Sequence, residues 1–196
     1  MDELERSKIV LRKEYILKRK NIENKKEKSD QITKKIIEND FYKNAKVVAL
    51  YKNLTDEVDT NELIKYSMNI GKTVCLPRIV ENKIEFYKIN DCDEILEKSK
   101  FGVEEPRAVE DNYIEKSMIE LIIVPGVCFD QNKNRMGFGK GFYDRFLEST
   151  SLKSIGICFE EQIVEKLPVT TNDVKMDLII TNKKIYWKFN FTMIIY

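Results

Sequence analysis

Leu121-Ile122-Ile123-Val124-Pro125-Gly126-Val127-Cys128-Phe129-Asp130-Gln131-Asn132-Lys133-Asn134-Arg135-Met136-Gly137-Phe138-Gly139-Lys140-Gly141-Phe142-Tyr143-Asp144-Arg145-Phe146-Leu147 is the stretch that decides the fold. It opens on a short apolar run of the kind that makes a strand buried on both faces. A polar, glycine-punctuated loop follows, then a helical segment from Gly141 to Glu148, and Ser154 to Phe159 reads as the next strand. Strand, loop, helix and strand in that order is the unit of a parallel sheet.

The same alternation appears upstream. Val47 to Tyr51 and Thr73 to Leu76 are apolar runs of strand length. Between them Asp59-Thr60-Asn61-Glu62 supplies helix-entry chemistry ahead of Leu63, Ile64 and Met68, with Gly71 as the stop. Ile84 to Tyr87 and Leu178 to Thr181 read as further strands. At the start, Leu4, Leu11, Tyr15 and Ile22 recur at 7, 4 and 7 residues, which predicts an amphipathic helix from Leu4 to about Asn24 lying on the body. A Lys-rich break at Asn24 to Lys28 leads to Ser29 and Asp30, expected to cap a second helix carrying Ile32, Ile36 and Ile37. Together these elements predict an α/β protein, a single domain over 1–196 with an open, mostly parallel sheet and flanking helices. No internal repeat or low-complexity linker interrupts it, and residues 187–196 show no clear period and receive no role.

Composition narrows the chemistry. The chain has 196 residues and 42% hydrophobic content, enough for one sizeable core. Lys and Arg number 34 against 33 acidic residues, so a net charge of +1 offers no global field for nucleic acid or anionic lipid, and any anion site must be local. Cys75, Cys92, Cys128 and Cys158 are too far apart for a zinc knuckle or redox dithiol. No secretory leader pattern opens the chain, so a reducing compartment, the cytoplasm, is expected, and no apolar stretch is long enough to span a membrane. A monomer is the working expectation. The chain contains no histidine at all. Triad, Cys-His and His-zinc chemistries are therefore excluded, which leaves carboxylates, lysines, arginines, backbone amides and bound ions.

The loop itself points to phosphate. Glycines at 137, 139 and 141 let the backbone approach a ligand, the start of the following helix presents amides along a dipole, and Arg135, Lys140 and Arg145 add cationic donors. It is not a Walker A loop, because Gly141 follows Lys140 where Ser or Thr is required, and its glycine spacing is not the dinucleotide fingerprint.

Pro125-Gly126, Phe129-Asp130, Asn134-Arg135-Met136-Gly137 and Gly139-Lys140-Gly141-Phe142-Tyr143-Asp144 closely resemble the signature of 5-formyltetrahydrofolate cyclo-ligases, also called 5,10-methenyltetrahydrofolate synthetases. Lys8 and Arg12, Glu57 to Thr60, Leu76-Pro77-Arg78, Gly102 to Pro106 and Asn172-Asp173 extend the match over roughly residues 8 to 181. The resemblance implies an α/β fold like that of sugar-phosphate isomerases and CoA transferases. It implies an ATP site made by Lys8, Ile9, Val10, Leu11 and Arg12 with Arg135, Met136, Gly137, Phe138, Gly139, Lys140, Gly141, Phe142 and Tyr143. Lys52, Glu57 and the loop from Phe138 to Phe142 would receive the folate, with Glu57 on the pterin. Lys140, Arg135 and Tyr143 are the implied catalytic groups, and Asp144 with Asp173 the implied Mg²⁺ ligands. Lys133 departs from a glycine of the family pattern, Met136 from leucine, Phe142 from tyrosine and Asn172 from a frequent histidine. The turn at Lys133 is expected to draw its positive φ from Asn132 or Asn134.

Physical arguments run beside the resemblance. Lys8 and Arg12, four residues apart, share a helix face and can meet one phosphate, while Arg19 near the same stripe is expected to be solvated. Glu57, between a strand end and a helix, can aim a carboxylate into the ligand crevice. Two rivals stand beside this reading: a sugar-phosphate or CoA-ester enzyme using the loop for its own phosphate, and a nucleic-acid-binding module stacking bases on Tyr and Phe, which the balanced charge disfavours.

Overall fold

Four apolar residues in a row, Leu121 to Val124, are all buried because layers cover both faces of the strand they form. Leu121 and Ile123 join the hydrophobic cluster on one face, Ile122 and Val124 the cluster on the other. The computed structural model describes residues 3–92, 96–99, 102–148 and 150–187. Three helices come first, α1 (Glu3–Lys20), α2 (Lys25–Glu38) and α3 (Asp40–Asn44), followed by β1 (Val47–Ala49), α4 (Asn61–Asn69), β2 (Thr73–Val80) and β3 (Lys83–Lys88). Short strands β4 (Glu97–Lys98), β5 (Glu104–Glu105) and β6 (Tyr113–Ile114) precede β7 (Leu121–Val124). The chain closes with β8 (Cys128–Asp130), β9 (Arg135–Met136), α5 (Phe142–Leu147), β10 (Lys153–Ile157), β11 (Ile163–Val164), β12 (Leu178–Ile180) and β13 (Ile185–Tyr186).

Eight strands form the main sheet in the order β13-β12-β10-β7-β1-β2-β3-β6. Neighbours from β12 through β2 pair in parallel, and β13, β3 and β6 add to the edges antiparallel. The expected open, mostly parallel α/β sheet is thus present. β3 turns back on β2 through Glu81 and Asn82, both at positive φ, the backbone of a tight hairpin. Helices α2, α3 and α4 cover one face through Ile32, Ile36, Tyr42, Leu63 and Ile64. α5 covers the other with Leu147, against Phe129, Ile122 and Ile179.

A second sheet, β11-β8-β9, stands beside the first and carries the glycine loop. α1 packs here, with Tyr15 buried among Val127, Cys128, Met136, Val164 and Leu167 and with Leu11 against them. Phe129 locks the two sheets together: a Cβ on Gly126 or on Gly156 would stand 2.5 Å from its ring, so the ring sits in a slot that only two glycines leave open.

The start of α2 differs from expectation. α2 begins at Lys25 behind Asn24, whose φ of 54 turns the chain, so Ser29 lies inside the helix. Its hydroxyl instead accepts from the Asp59 amide at 3.0 Å, fastening α2 to the start of α4. At that start Asp59, not Thr60, supplies the side-chain acceptor, taking the Asn61 amide at 2.9 Å. Of the aromatic tail at 187–196, Trp187 is exposed and the rest lies outside the described residues.

Candidate active site

The glycine loop is anchored before it begins. Asp130, fully buried, accepts the amides of Asn132 and Asn134 at 2.9 Å, the Asn134 side chain at 2.8 Å and the Leu167 amide at 3.0 Å. Lys133 itself takes the positive φ, 68, where a neighbouring asparagine was expected to. The strain is held by its surroundings: its amide donates to the Asp130 carbonyl, its carbonyl accepts from Met176 and its Nζ donates to the Asp177 carbonyl.

Beyond β9 each glycine lies against an arginine. A Cβ on Gly137 would stand 2.7 Å from Arg135 Nη1, one on Gly139 3.2 Å from Arg12 Cζ, and one on Gly141 2.9 Å from Arg145 Nη1. Gly139, at φ 88, needs its conformation as well as its size. Arg12 Nε donates to the Gly137 carbonyl at 2.9 Å. Arg135 is buried, pairs with Asp144 Oδ2 at 2.8 Å and stacks 5.4 Å from the centroid of the Tyr143 ring, while its Nε, also buried, has no hydrogen-bond partner among the described residues. Lys140 is exposed at the rim. Helix α5 has six residues, too short for much macrodipole, so the anion attraction of the loop comes from its guanidinium and ammonium groups.

These groups face one cleft of about 470 Å³. Of the residues expected from the sequence, Lys8, Arg12, Lys52, Glu57, Asp144, Asp173 and the whole run from Arg135 to Tyr143 line it. Ile9, Val10 and Leu11 do not, because one turn of helix carries Lys8 and Arg12 to the cleft and takes the residues between them elsewhere. Val10 is 65% exposed, and Leu11 packs on the second sheet. The opposite wall is apolar, with Pro77, Ile79, Ile84 and Val103, and Phe138, half exposed, stands over the opening.

Electrostatics inside the cleft are specific. Glu57 is buried; burial pushes its carboxyl above the ordinary range, while Arg19 and the Leu54 amide pull it back. Its Oε1 accepts from Arg19 at 3.1 Å and its Oε2 from the Leu54 amide at 3.0 Å, leaving each oxygen of this cleft-lining carboxylate with further acceptor capacity. Burial also drives the Tyr143 phenol up against the pull of Arg135, so it stays a neutral hydrogen-bond donor. Lys52 Nζ reaches Asn61 at 2.8 Å.

Arg19 overturns the expectation of a solvated side chain. It is 1% exposed and donates to Asp56 at 3.0 Å, to Glu57 and to the Gly126 carbonyl at 3.3 Å. The signal was its position seven residues after Arg12, two helical turns along the same face. Glu105, buried in the cleft wall and pushed up by burial against the pull of Arg78, was named in the sequence only as part of the match at Gly102 to Pro106, without a role.

The donor set fits a hard divalent cation. Among the described residues no group of three or more acidic, cysteine or histidine ligands could hold a metal ion, but Mg²⁺ needs only one or two carboxylates and completes its shell with water and phosphate. The Val174 amide lies 3.5 Å from Asp144 Oδ1, which brings the segment of Asp173 beside Asp144. Asp173 Oδ2 accepts from Lys8 at 2.6 Å and from the Thr170 amide and hydroxyl, and Asp144 Oδ2 accepts from Arg135, so Asp173 Oδ1 stays clear of these bonds and Asp144 Oδ1 takes only the long bond from Val174.

Residues 3–182 match the sequence profile of the 5-formyltetrahydrofolate cyclo-ligase family. A probable 5-formyltetrahydrofolate cyclo-ligase of Schizosaccharomyces pombe is 33% identical over 173 residues, 80% of this chain and 85% of that one. The solution structure of a 5,10-methenyltetrahydrofolate synthetase of Aquifex aeolicus superposes with a TM-score of 0.80 at 31% identity, covering 92% of both chains. A 5,10-methenyltetrahydrofolate synthetase of Mycoplasma pneumoniae gives 0.72 at 25% identity, over 89% of this chain and 98% of the other.

Proposed function

This chain belongs to the 5-formyltetrahydrofolate cyclo-ligase family, and from that premise we propose that it converts 5-formyltetrahydrofolate to 5,10-methenyltetrahydrofolate, consuming ATP and releasing ADP and phosphate. One observation carries the reading: a single cleft joins an arginine-lined glycine loop, suited to phosphates, to a buried carboxylate suited to the N–H edge of a pterin.

In the proposed reaction the N5-formyl oxygen attacks the γ-phosphorus, an O–P bond forms, the bond from phosphorus to the bridging oxygen breaks, and ADP leaves. The N5 lone pair completes an iminium phosphate. N10 then adds to the activated carbon and loses its proton, and departure of phosphate with the C–O bond electrons leaves the N5–CH–N10 amidinium of the product. Lys8 and Arg12 hold the nucleotide phosphates from α1, with Met136 through Phe142 beneath. Lys140 and Arg135 steady the charge on the transferring group, and the neutral Tyr143 phenol donates to an oxygen rather than abstracting a proton. Glu57 and Lys52 orient the folate, so that N10 meets the formyl carbon by proximity. Asp144 and Asp173 would hold Mg²⁺, which supplies charge neutralisation on the phosphates.

We read 1–196 as a single cyclo-ligase unit on the continuity of the eight-stranded sheet from β1 to β13. One copy supplies every wall of the cleft, so the reading needs no partner subunit. Free thiols at Cys75, Cys92, Cys128 and Cys158 support action in a reducing compartment, the cytoplasm, and no described helix is long and apolar enough to cross a membrane. ADP release with Mg-ATP present, measured with and without 5-formyltetrahydrofolate, tests the pairing of substrates. Release only with the folate is expected; release that ignores it, or that answers to a sugar phosphate, would overturn the proposal.

A further inference from the structure

Arg19 has no place in the chemistry described above, yet it is the largest fully buried side chain in the molecule's described residues and it carries a charge. A buried guanidinium is expensive unless it is paired, and here Nε and Nη1 are both paired. Nε meets Asp56 at 3.0 Å, Nη1 meets Glu57 at 3.1 Å and the Gly126 carbonyl at 3.3 Å, and the guanidinium carbon lies 5.5 Å from the centroid of the Phe138 ring. One side chain on α1 therefore ties together the turn before α4, the segment after β7 and the glycine loop.

We propose that Arg19 is a positioning residue for the folate, aiming Glu57 at the pterin and keeping it ionised from behind the cleft wall. The proposal rests on the reading of Glu57 as the pterin ligand. Arg19 occupies one lone pair of Oε1 and the Leu54 amide one of Oε2, which leaves each oxygen of this cleft-lining carboxylate with further acceptor capacity for a ligand. Without the guanidinium, burial of Glu57 is opposed by the Leu54 amide alone. The charged or titratable groups that act on Glu57 or that it acts upon are Asp56 beside it, Tyr51 from the segment after β1 and Tyr143 from α5, and none is a cation. A protonated Glu57 would lose half its acceptor capacity toward adjacent N–H donors.

The test is a mutant cycle on steady-state constants for both substrates, using Arg19→Lys, Arg19→Met, Glu57→Gln and the two double variants. Arg19→Lys and Arg19→Met should raise the KM for 5-formyltetrahydrofolate roughly tenfold, the scale of one charge-assisted hydrogen bond, with the KM for ATP and the melting temperature of Arg19→Lys little changed. Adding either change to Glu57→Gln should cost no further folate affinity. The folate KM of Arg19→Met should also fall as pH is raised and Glu57 ionises, while the wild type stays flat over the same range. Where Arg19→Met does not fold, the Arg19→Lys arm gives the answer alone. An unchanged folate KM in Arg19→Lys, effects that add in the double variants, or a loss in Arg19→Met that pH does not relieve would overturn the role of Arg19. If Glu57→Gln itself leaves the folate KM unaltered, the pterin reading of Glu57 fails first and takes this role with it.

Discussion

A Cβ on Gly139 would stand 3.2 Å from Arg12 Cζ on a backbone at φ 88, so Gly139→Ala strains the chain and crowds the guanidinium. The strain amounts to about 1–3 kcal/mol, and the variant should raise the KM for ATP roughly tenfold while moving the folate KM much less. Equal losses for both substrates would contradict the assignment of this end of the cleft to the nucleotide. Asp144→Asn and Asp173→Asn should each shift the Mg²⁺ requirement upward and lower kcat; two unshifted Mg²⁺ titrations would remove both from the metal site. Asp173 also allows a check that needs no activity. Burial raises its carboxyl, but the bonds from Lys8 and Thr170 prevail and hold it below its ordinary 3.8. Its contribution to stability is then complete above that value and is lost as pH falls through the lower folded one. Asp173→Asn should flatten the fall of melting temperature in acid, and an unchanged slope would mean that the ion pair with Lys8 contributes nothing in solution. At this scale the sequence named the cleft-lining glycines, Lys8, Arg12 and both aspartates, but not Arg19. Arg19 lies two turns beyond Arg12 on the same face, but that spacing does not mark burial, which arises only when the Asp56–Glu57 turn comes to meet it.

The elements divide by how much of their stability is local. β7 and β10 were legible because apolar runs read the same wherever they are packed, and α4 because its entry and exit residues mark a helix. The β11-β8-β9 sheet was not legible. Its strands have two or three residues of mixed character, and they exist because Asp130 gathers the hairpin and Phe129 fills the slot between Gly126 and Gly156. The start of α2 was misplaced for a similar reason, since Ser29 serves a tertiary bond to Asp59 rather than a cap. Asp130 makes the point testable. Asp130→Ala strips the acceptor from the amides of Asn132, Asn134 and Leu167, and each buried donor left unpaired costs about 1–3 kcal/mol. At roughly 2–4 °C per kcal/mol for a chain of this size, a drop of at least about 5 °C in melting temperature is expected. A melting temperature within about a degree of wild type would show that the hairpin holding the loop does not depend on this carboxylate.

Across the whole molecule the cleft lies where three assemblies meet: the ends of the parallel strands, the second sheet with its glycine loop, and α1 laid across both. α1 gives Lys8 to Asp173, Arg12 to the loop and Arg19 to Glu57, so one helix reaches both the proposed nucleotide end and the proposed pterin end of the cleft. Strand order and the second sheet are products of long-range pairing, which a linear reading of periodicity does not contain, whereas the α/β class and the loop chemistry are carried by short segments and were legible from them. The account stands on these parts performing one reaction in one cleft. Its most direct measurement is absorbance of the methenyl product, followed together with ADP, after mixing the protein with Mg-ATP and 5-formyltetrahydrofolate. The account predicts the methenyl chromophore appearing with one ADP per product and only when both substrates are present; ADP formed without the chromophore, or no turnover of the folate at all by the folded protein, would contradict it.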